Sequence, residues 1–199
     1  MEKINDIFNL DFSQEEPQQG GILVSEPFLS EIYFSRACIL LTKYEKFAPT
    51  TGLVLNKKTN LTINAVFDSE IERNEEIPIF CGGPLSLDRL FYVHDIDGVR
   101  NSINIKDNLV LGGRFEDIVE YINAGLPISG HIKFFLGYSG WDRFQLDEEL
   151  HNNTWAIQNN MPQSFYLNCV TDKCWEDAVV SLGKSFESWL ICPEEPSLN

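Results

Sequence analysis

Residues 131–155, HIKFFLGYSGWDRFQLDEELHNNTW, hold the most strongly patterned stretch of the chain. Its first part, His131 to Tyr138, is the longest aromatic strand candidate, and two leucines in its second part fall at the i, i+4 spacing of a helix. Between them, Ser139 and Asp142 have the S-x-x-D form of a capping box, in which both side chains would satisfy free amide donors. The stretch therefore predicts a strand followed by a helix that Ser139 opens.

Short apolar runs separated by turn signals continue in both directions from this stretch. Further strands are predicted at residues 22–24, 36–42, 52–56, 77–81, 90–94, 103–105, 109–111 and 155–157. Further helices are predicted at residues 60–67 and 115–122, and at a C-terminal segment that starts at Thr171-Asp172 and ends near Gly183. Strands that mostly follow one another, with a few helices between them, indicate a mixed α+β domain.

The length of 199 residues and the 43% hydrophobic content suit one domain with a substantial core. Residues 20–199 form the predicted domain. Residues 1–19 form a separate acidic tract, in which Ile4, Ile7 and Phe8 are spaced as in a short helix. The sequence contains no apolar run of 18 residues, which a membrane span would require, and the N-terminus has no secretory-signal pattern. A cytoplasmic location is therefore expected.

The formal net charge of −15 argues against nonspecific binding to nucleic acid or to anionic lipid. The five cysteines include no C-x-x-C and are interpreted as reduced thiols, most of them buried, with a reactive Cys81 as the alternative. The three histidines show no i, i+4 pairing and no H-E-x-x-H, although His94 and Asp95 would form a polar pair at a strand end. We therefore expect neither a metal nor a cofactor.

Two glycine-containing segments match known catalytic or phosphate-binding motifs only in part. Around Ser139, the second glycine of a G-x-S-x-G nucleophile elbow is one residue early and Trp141 takes its place. Gly82-Gly83-Pro84 follows a strand but lacks the lysine of a P-loop, so it is interpreted as a tight turn, with an anion-binding nest as the alternative. One helical turn apart, Gln145 and Glu149 would present a polar surface beside Trp141.

Several longer motifs resemble the YqgE/AlgH family of small bacterial proteins. They run in order from residue 20 to the C-terminus: GILVSEPFL, GLVLNKKT, CGGPLSLDRLFYVH, DNLVLGGRFEDI, LGYSGWDRFQLDEELHNNTW and the closing PEEPSLN. The long LGYSGW stretch is the most specific of them. The chain departs from the family pattern after Asn56, where Lys57-Lys58 stands in place of the Arg-Pro that the family often has.

The resemblance implies a cytosolic bacterial protein with a single α+β domain, in which helices flank a bifurcated, barrel-like mixed sheet. One branch of the family carries a label as a transcriptional regulator, but this chain has no helix-turn-helix pattern and no basic recognition helix. The candidate binding surface consists of the family-matching positions Asn56, Gly82, Gly83, Pro84, Tyr138, Trp141, Gln145 and Glu149. The architectural alternative assigns the glycines to turns and Trp141 to packing.

Without a catalytic constellation, the sequence favours a non-enzymatic binding or regulatory module that contacts a protein or a small molecule. Two alternatives stay open. One is a transcriptional regulator, as the family label suggests. The other is a small-ligand or nucleotide-binding enzyme in which the Gly82-Gly83 turn holds an anionic group, Asn56 orients it and Glu149 acts as acid or base.

Overall fold

The computed structural model of the chain describes residues 15–193, so the predicted helix at residues 4–8 lies outside the described part. The strands are β1 (Ile22–Ser25), β2 (Cys38–Lys43), β3 (Thr50–Val54), β4 (Lys58–Thr62), β5 (Pro78–Cys81), β6 (Leu85–His94), β7 (Ile103–Lys106), β8 (Leu109–Leu111), β9 (Ile132–Trp141) and β10 (Trp155–Gln158). The helices are α1 (Ile63–Val66), α2 (Phe115–Asn123), α3 (Gln145–His151), α4 (Gln163–Asn168), α5 (Lys173–Leu182) and α6 (Glu187–Leu190), with a 3₁₀ turn at Lys184–Phe186.

The strands form one sheet in the order β10-β1-β2-β3-β9-β6-β8-β7. The sheet forks at β9. The end of this strand pairs antiparallel with β3, from Ser139 to Trp141, whereas its beginning pairs parallel with β5, from Phe134 to Leu136. On its other side β9 pairs with β6 along most of its length. The predicted α+β class and the bifurcated mixed sheet are therefore confirmed.

Apolar side chains pack on both faces of the sheet, as expected for strands that read as continuous hydrophobic runs. The largest cluster lies under α4, α5 and α6 and includes the buried Trp175 and Tyr166. A second cluster joins α1 and α2 to β5 and β9. A third packs α3 against β1, β2 and β3 and contains Trp141 and Trp155. Helices thus flank the sheet on both sides, as predicted.

The predicted capping box at Ser139 is wrong. Because β9 finds partners in both β3 and β6, the strand continues through Ser139 to Trp141, and the helix begins only at Gln145. The buried Ser139 hydroxyl donates to the Gly82 carbonyl oxygen at 3.1 Å instead of capping a helix. The N-cap is Phe144, whose φ of 70° lies in the left-handed region.

The predicted helix at residues 60–67 is mostly wrong. The segment Lys58–Thr62 pairs with β5 as a strand, and only Ile63–Val66 is helical. The sequence interpretation also missed α4 and α6, which are six and four residues long. Neither helix is long enough to show a clear apolar period. The remaining predicted strands and helices are present, with bounds shifted by a few residues.

Candidate functional site

Trp141, Gln145 and Glu149 come together, as the sequence predicts. The half-buried Glu149 carboxylate accepts hydrogen bonds from the indole N–H groups of Trp141 at 2.8 Å and Trp155 at 2.7 Å. It also accepts one from the side-chain amide of Gln145, at 2.9 Å. The two indole rings pack edge to face, with centroids 6.2 Å apart. Because Glu149 lies on α3, Trp141 on β9 and Trp155 on β10, these hydrogen bonds join the helix to both strands.

Gly82 and Gly83 lie at the fork of the sheet. The Gly82 N–H donates to the Leu136 carbonyl of β9, and its carbonyl accepts from the Val54 N–H at the end of β3, both at 2.9 Å. A Cβ at Gly82 would stand 2.3 Å from the Gly137 carbonyl oxygen, and one at Gly83 would stand 2.4 Å from the Ser139 hydroxyl. Glycine is thus required here for close backbone contact, and the Gly82 N–H is already paired.

The Gly82-Gly83 turn and Glu149 contact different parts of β9. Gly82 bonds to Leu136 and to the Ser139 hydroxyl, whereas Glu149 bonds to the Trp141 indole at the end of the same strand. The hydrogen-bond partners of the Glu149 carboxylate are Trp141, Trp155 and Gln145, and the Gly82-Gly83 turn is not among them.

The remaining candidate residues differ in their burial and in their contacts. Tyr138 is half-buried and packs on Phe91, with ring centroids 5.6 Å apart. Pro84 is exposed. Asn56 is buried, and both ends of its side-chain amide are used. The oxygen accepts from the Cys38 N–H at 3.0 Å, while the nitrogen donates to the Arg36 carbonyl at 2.7 Å and to the Asp172 carboxylate at 3.2 Å.

Asn56 therefore places Asp172 beside the turn that follows β3. There the Asp172 carboxylate also contacts the Lys57 ammonium at 3.3 Å. The side chain of Lys57 is 24% exposed and that of Asp172 is 58% exposed, so this ion pair lies at an open surface. Lys58 is the first residue of β4 and is exposed.

These residues surround an open cleft of about 400 Å³, which we call the Asn56 cleft. Its lining combines two lysines, one carboxylate, one thiol and an exposed apolar side chain. The Cys81 thiol donates to the Gly83 carbonyl oxygen at 3.7 Å. The complete lining is Ile32, Tyr33, Asn56, Lys57, Lys58, Cys81 and Asp172.

Sequence analysis identified Asn56 but missed most of this cleft. The Lys57-Lys58 pair was visible as the only basic pair and as the departure from the family pattern. Asp172 was interpreted only as part of a helix start, since nothing in the sequence indicates that it lies beside residue 57. Contacts across more than a hundred residues depend on how the sheet forks and are not encoded in any local pattern.

The structure shows no metal centre among the histidine, cysteine and acidic side chains of the described residues. Within residues 15–193 no group of three or more His, Cys, Asp or Glu side chains is arranged to hold a metal ion. His94 is buried, its ring bonds to the Gly112 carbonyl oxygen at 2.9 Å, and burial lowers its pKa. It does not pair with Asp95, which instead contacts the His131 ring at 2.9 Å.

Among the helices in residues 15–193, none combines the length and the apolar composition that crossing a bilayer requires.

Comparison with known proteins supports one family. The sequence model described as AlgH-like matches residues 22–187. A UPF0301 protein of Parabacteroides distasonis is 38% identical over the full length of both chains. A UPF0301 protein of Bacteroides fragilis is also 38% identical, over 98% of this chain and 97% of its own.

Two solved structures share the fold. A crystal structure of a Corynebacterium diphtheriae protein superposes with a TM-score of 0.70 at 20% identity, covering 88% of this chain and 92% of the other. The solution structure of the AlgH protein from Pseudomonas aeruginosa superposes with a TM-score of 0.65 at 22% identity, covering 90% and 97%. At these identities the similarity supports the fold and carries no information on activity.

Proposed function

The chain belongs to the AlgH-like family, and from this premise we propose that it is a non-enzymatic binding module which recognises an anionic group of its ligand at the Asn56 cleft. The ligand presents a carboxylate or a phosphate, on either a protein or a small molecule. The protein acts in the cytoplasm, a placement supported by its five free thiols. A regulatory role then operates through the bound ligand.

One observation carries the proposal: the cleft already holds a carboxylate. Asp172 contacts the Lys57 ammonium, and the exposed Lys58 amine lies next along the chain. Lysine ammonium groups bind carboxylate and phosphate oxygens with charge-assisted hydrogen bonds. An external anion would take the place of Asp172, whose side chain is more than half exposed, and Asn56 would keep its hydrogen bond to the Arg36 carbonyl oxygen.

The binding interpretation is also supported over the enzymatic one. Glu149, the acid or base of the enzymatic alternative, is held by two indoles and is not among the residues lining the cleft. The Gly82 amide, which would have bound an anionic group, donates to β9. The lysine pair is therefore the better anion-binding feature of the two.

The proposal is tested by titrating the protein with inorganic phosphate and, separately, with succinate. Binding is measured by calorimetry and by amide chemical shifts at Asn56, Lys57 and Lys58. Because Asp172 competes with the anion, we expect Asp172→Asn to tighten binding by up to about fivefold, which corresponds to an exposed ion pair of about 1 kcal/mol. Lys57→Gln is expected to weaken binding by a similar factor.

Lys184→Gln is the matched control. Lys184 is exposed and lies beyond the far end of α5, roughly 15 Å along the helix from Asp172. This variant should bind both probes as the wild type does. The proposal fails if neither probe binds, or if Asp172→Asn and Lys184→Gln change the affinity equally.

A further inference from the structure

Lys133 is a lysine enclosed in the apolar core. It lies on β9 and is 3% exposed. Its Nζ donates to the Cys169 carbonyl oxygen and stands 4.0 Å from the centroid of the Phe80 ring. None of the ion pairs formed within residues 15–193 includes Lys133. Desolvation lowers its pKa to about 8, so a much larger share of this amine is neutral near pH 7 than of an ordinary lysine.

Lys133 is also one of the residues that line a cavity, which we call the Lys133 cavity. Its volume is about 120 Å³, and it shares no lining residue with the Asn56 cleft. Its buried walls include Phe80, Ile132 and Leu167. The exposed lining residues, which mark its mouth, include Glu75, Glu76 and Val170. Lys133 thus lines a small, largely apolar cavity, and its amine lies over the ring of Phe80, which lines the same cavity.

We propose that Lys133 is a covalent carbonyl-binding site that forms an imine with a short aliphatic aldehyde. The lone pair of Nζ forms a C–N bond to the carbonyl carbon, and one N–H proton passes to the carbonyl oxygen. The resulting carbinolamine loses its hydroxyl with the second N–H proton as water, which leaves a C=N bond. No oxidant, reductant or cofactor takes part in this condensation.

Three thiols lie close enough to Lys133 to interact with it electrostatically: Cys38 from β2, Cys169 after α4 and Cys174 at the start of α5. Burial raises the pKa of Cys169, and the hydrogen bond with Cys169 together with burial raises that of Cys174, so both stay uncharged.

A proton taken up from solvent by the imine nitrogen gives an iminium with one N–H, which can donate to the Cys169 carbonyl oxygen. The apolar walls favour an alkyl chain, whereas Glu75 and Glu76 at the mouth repel a carbonyl compound that carries a carboxylate. The carbonyl-binding proposal is independent of the Asn56 cleft, because the two sites share no lining residue and each is tested by its own experiment.

The experiment traps the imine. The full-length protein is incubated with butyraldehyde and sodium cyanoborohydride between pH 6 and 9, and each lysine is followed by peptide mass spectrometry. We expect Lys133 to be alkylated about tenfold faster than the exposed Lys58 near pH 7, because more of its amine is neutral. Its rate should rise with pH and level off above about pH 8.

Two comparisons separate the cavity from general reactivity. Val170→Trp, a change at an exposed mouth residue, should slow labelling at Lys133 about tenfold and leave Lys58 unchanged. Glyoxylate, which carries a carboxylate, should label Lys133 more slowly than butyraldehyde. The proposal is overturned if Lys133 reacts no faster than Lys58, if Val170→Trp has no effect on its rate, or if labelling requires urea.

Discussion

At the scale of single residues, Glu149 illustrates how a polar motif residue acts through packing. Its carboxylate accepts hydrogen bonds from two tryptophan indoles on different strands, and one of those indoles, Trp141, lies at the strand end that precedes α3. Buried indole N–H groups need such an acceptor. The hydrogen bonds of Glu149 to Trp141 and Trp155 join α3 to β9 and β10, which is a structural role.

We predict that Glu149→Ala lowers the free energy of unfolding by about 1–3 kcal/mol, because it leaves two indole N–H groups without their acceptor. Glu149→Gln keeps one carbonyl oxygen and should cost less. Urea unfolding followed by tryptophan fluorescence measures both. Glu148→Ala, a change at an exposed residue of the same helix, is the control and should stay within about 0.5 kcal/mol of the wild type. Equal losses for Glu148→Ala and Glu149→Ala would contradict this account.

Some of these side-chain contacts are predictable from the sequence and others are not. Helical spacing was sufficient to place Gln145 and Glu149 together beside Trp141. Lys133 was overlooked, although a lone charged residue inside the aromatic run HIKFFLGY was a visible signal. The pairing of Asp172 with Lys57 was not predictable, because the two residues are brought together only by the long-range path of the chain.

At the scale of elements, the fork of the sheet depends on glycine. Gly82 joins β3 and β9 by two backbone hydrogen bonds, and Gly137 on β9 has a φ of 71° directly opposite. The backbones approach so closely that a side chain has no room. The Gly82-Gly83 motif is thus explained by the close approach of the backbones at the fork.

Gly82→Ala should destabilise the protein by about 1–3 kcal/mol or more, since its Cβ would lie 2.3 Å from a backbone oxygen that cannot move without breaking the fork. Gly112→Ala is the comparison. Gly112 has a φ of 62° but no atom within 4 Å of an added Cβ, so only the backbone conformation opposes the change, at about 1 kcal/mol. Thermal unfolding should rank Gly82→Ala below Gly112→Ala, and the reverse order would refute the steric explanation.

The elements predicted correctly were those whose local pattern agrees with their tertiary environment. The run ACILL forms β2, which is buried along nearly all its length, and the spacing from Phe115 to Ile122 forms α2. Prediction failed where neighbours decided the outcome. Ser139 belongs to β9 because strands flank it on both sides, and residues 58–62 form β4 because β5 supplies a partner.

At the scale of the whole molecule, the charge is the dominant property. Thirty acidic residues oppose fifteen basic ones. Lys57, which with Lys58 makes up the basic pair, is partly neutralised by Asp172. A surface of this kind attracts cations and repels polyanions over a distance of about a Debye length. A small anion can still reach two neighbouring lysines, but a long phosphate backbone meets the full negative field.

We therefore predict that the protein does not bind duplex DNA, which bears directly on the regulator label of the family. Sequence-independent attraction to phosphates is the largest contribution to DNA affinity at low salt, and a net charge of −15 opposes that attraction. A mobility-shift assay at low ionic strength, with random and promoter-derived duplexes, should show no complex.

A parallel assay with the Lys57→Gln, Lys58→Gln double variant tests whether any residual band depends on the Asn56 cleft. A complex that weakens steeply as salt is raised would contradict the prediction. If the double variant also lost that complex, the cleft would be a nucleic-acid contact and not a site for a small or protein-borne anion.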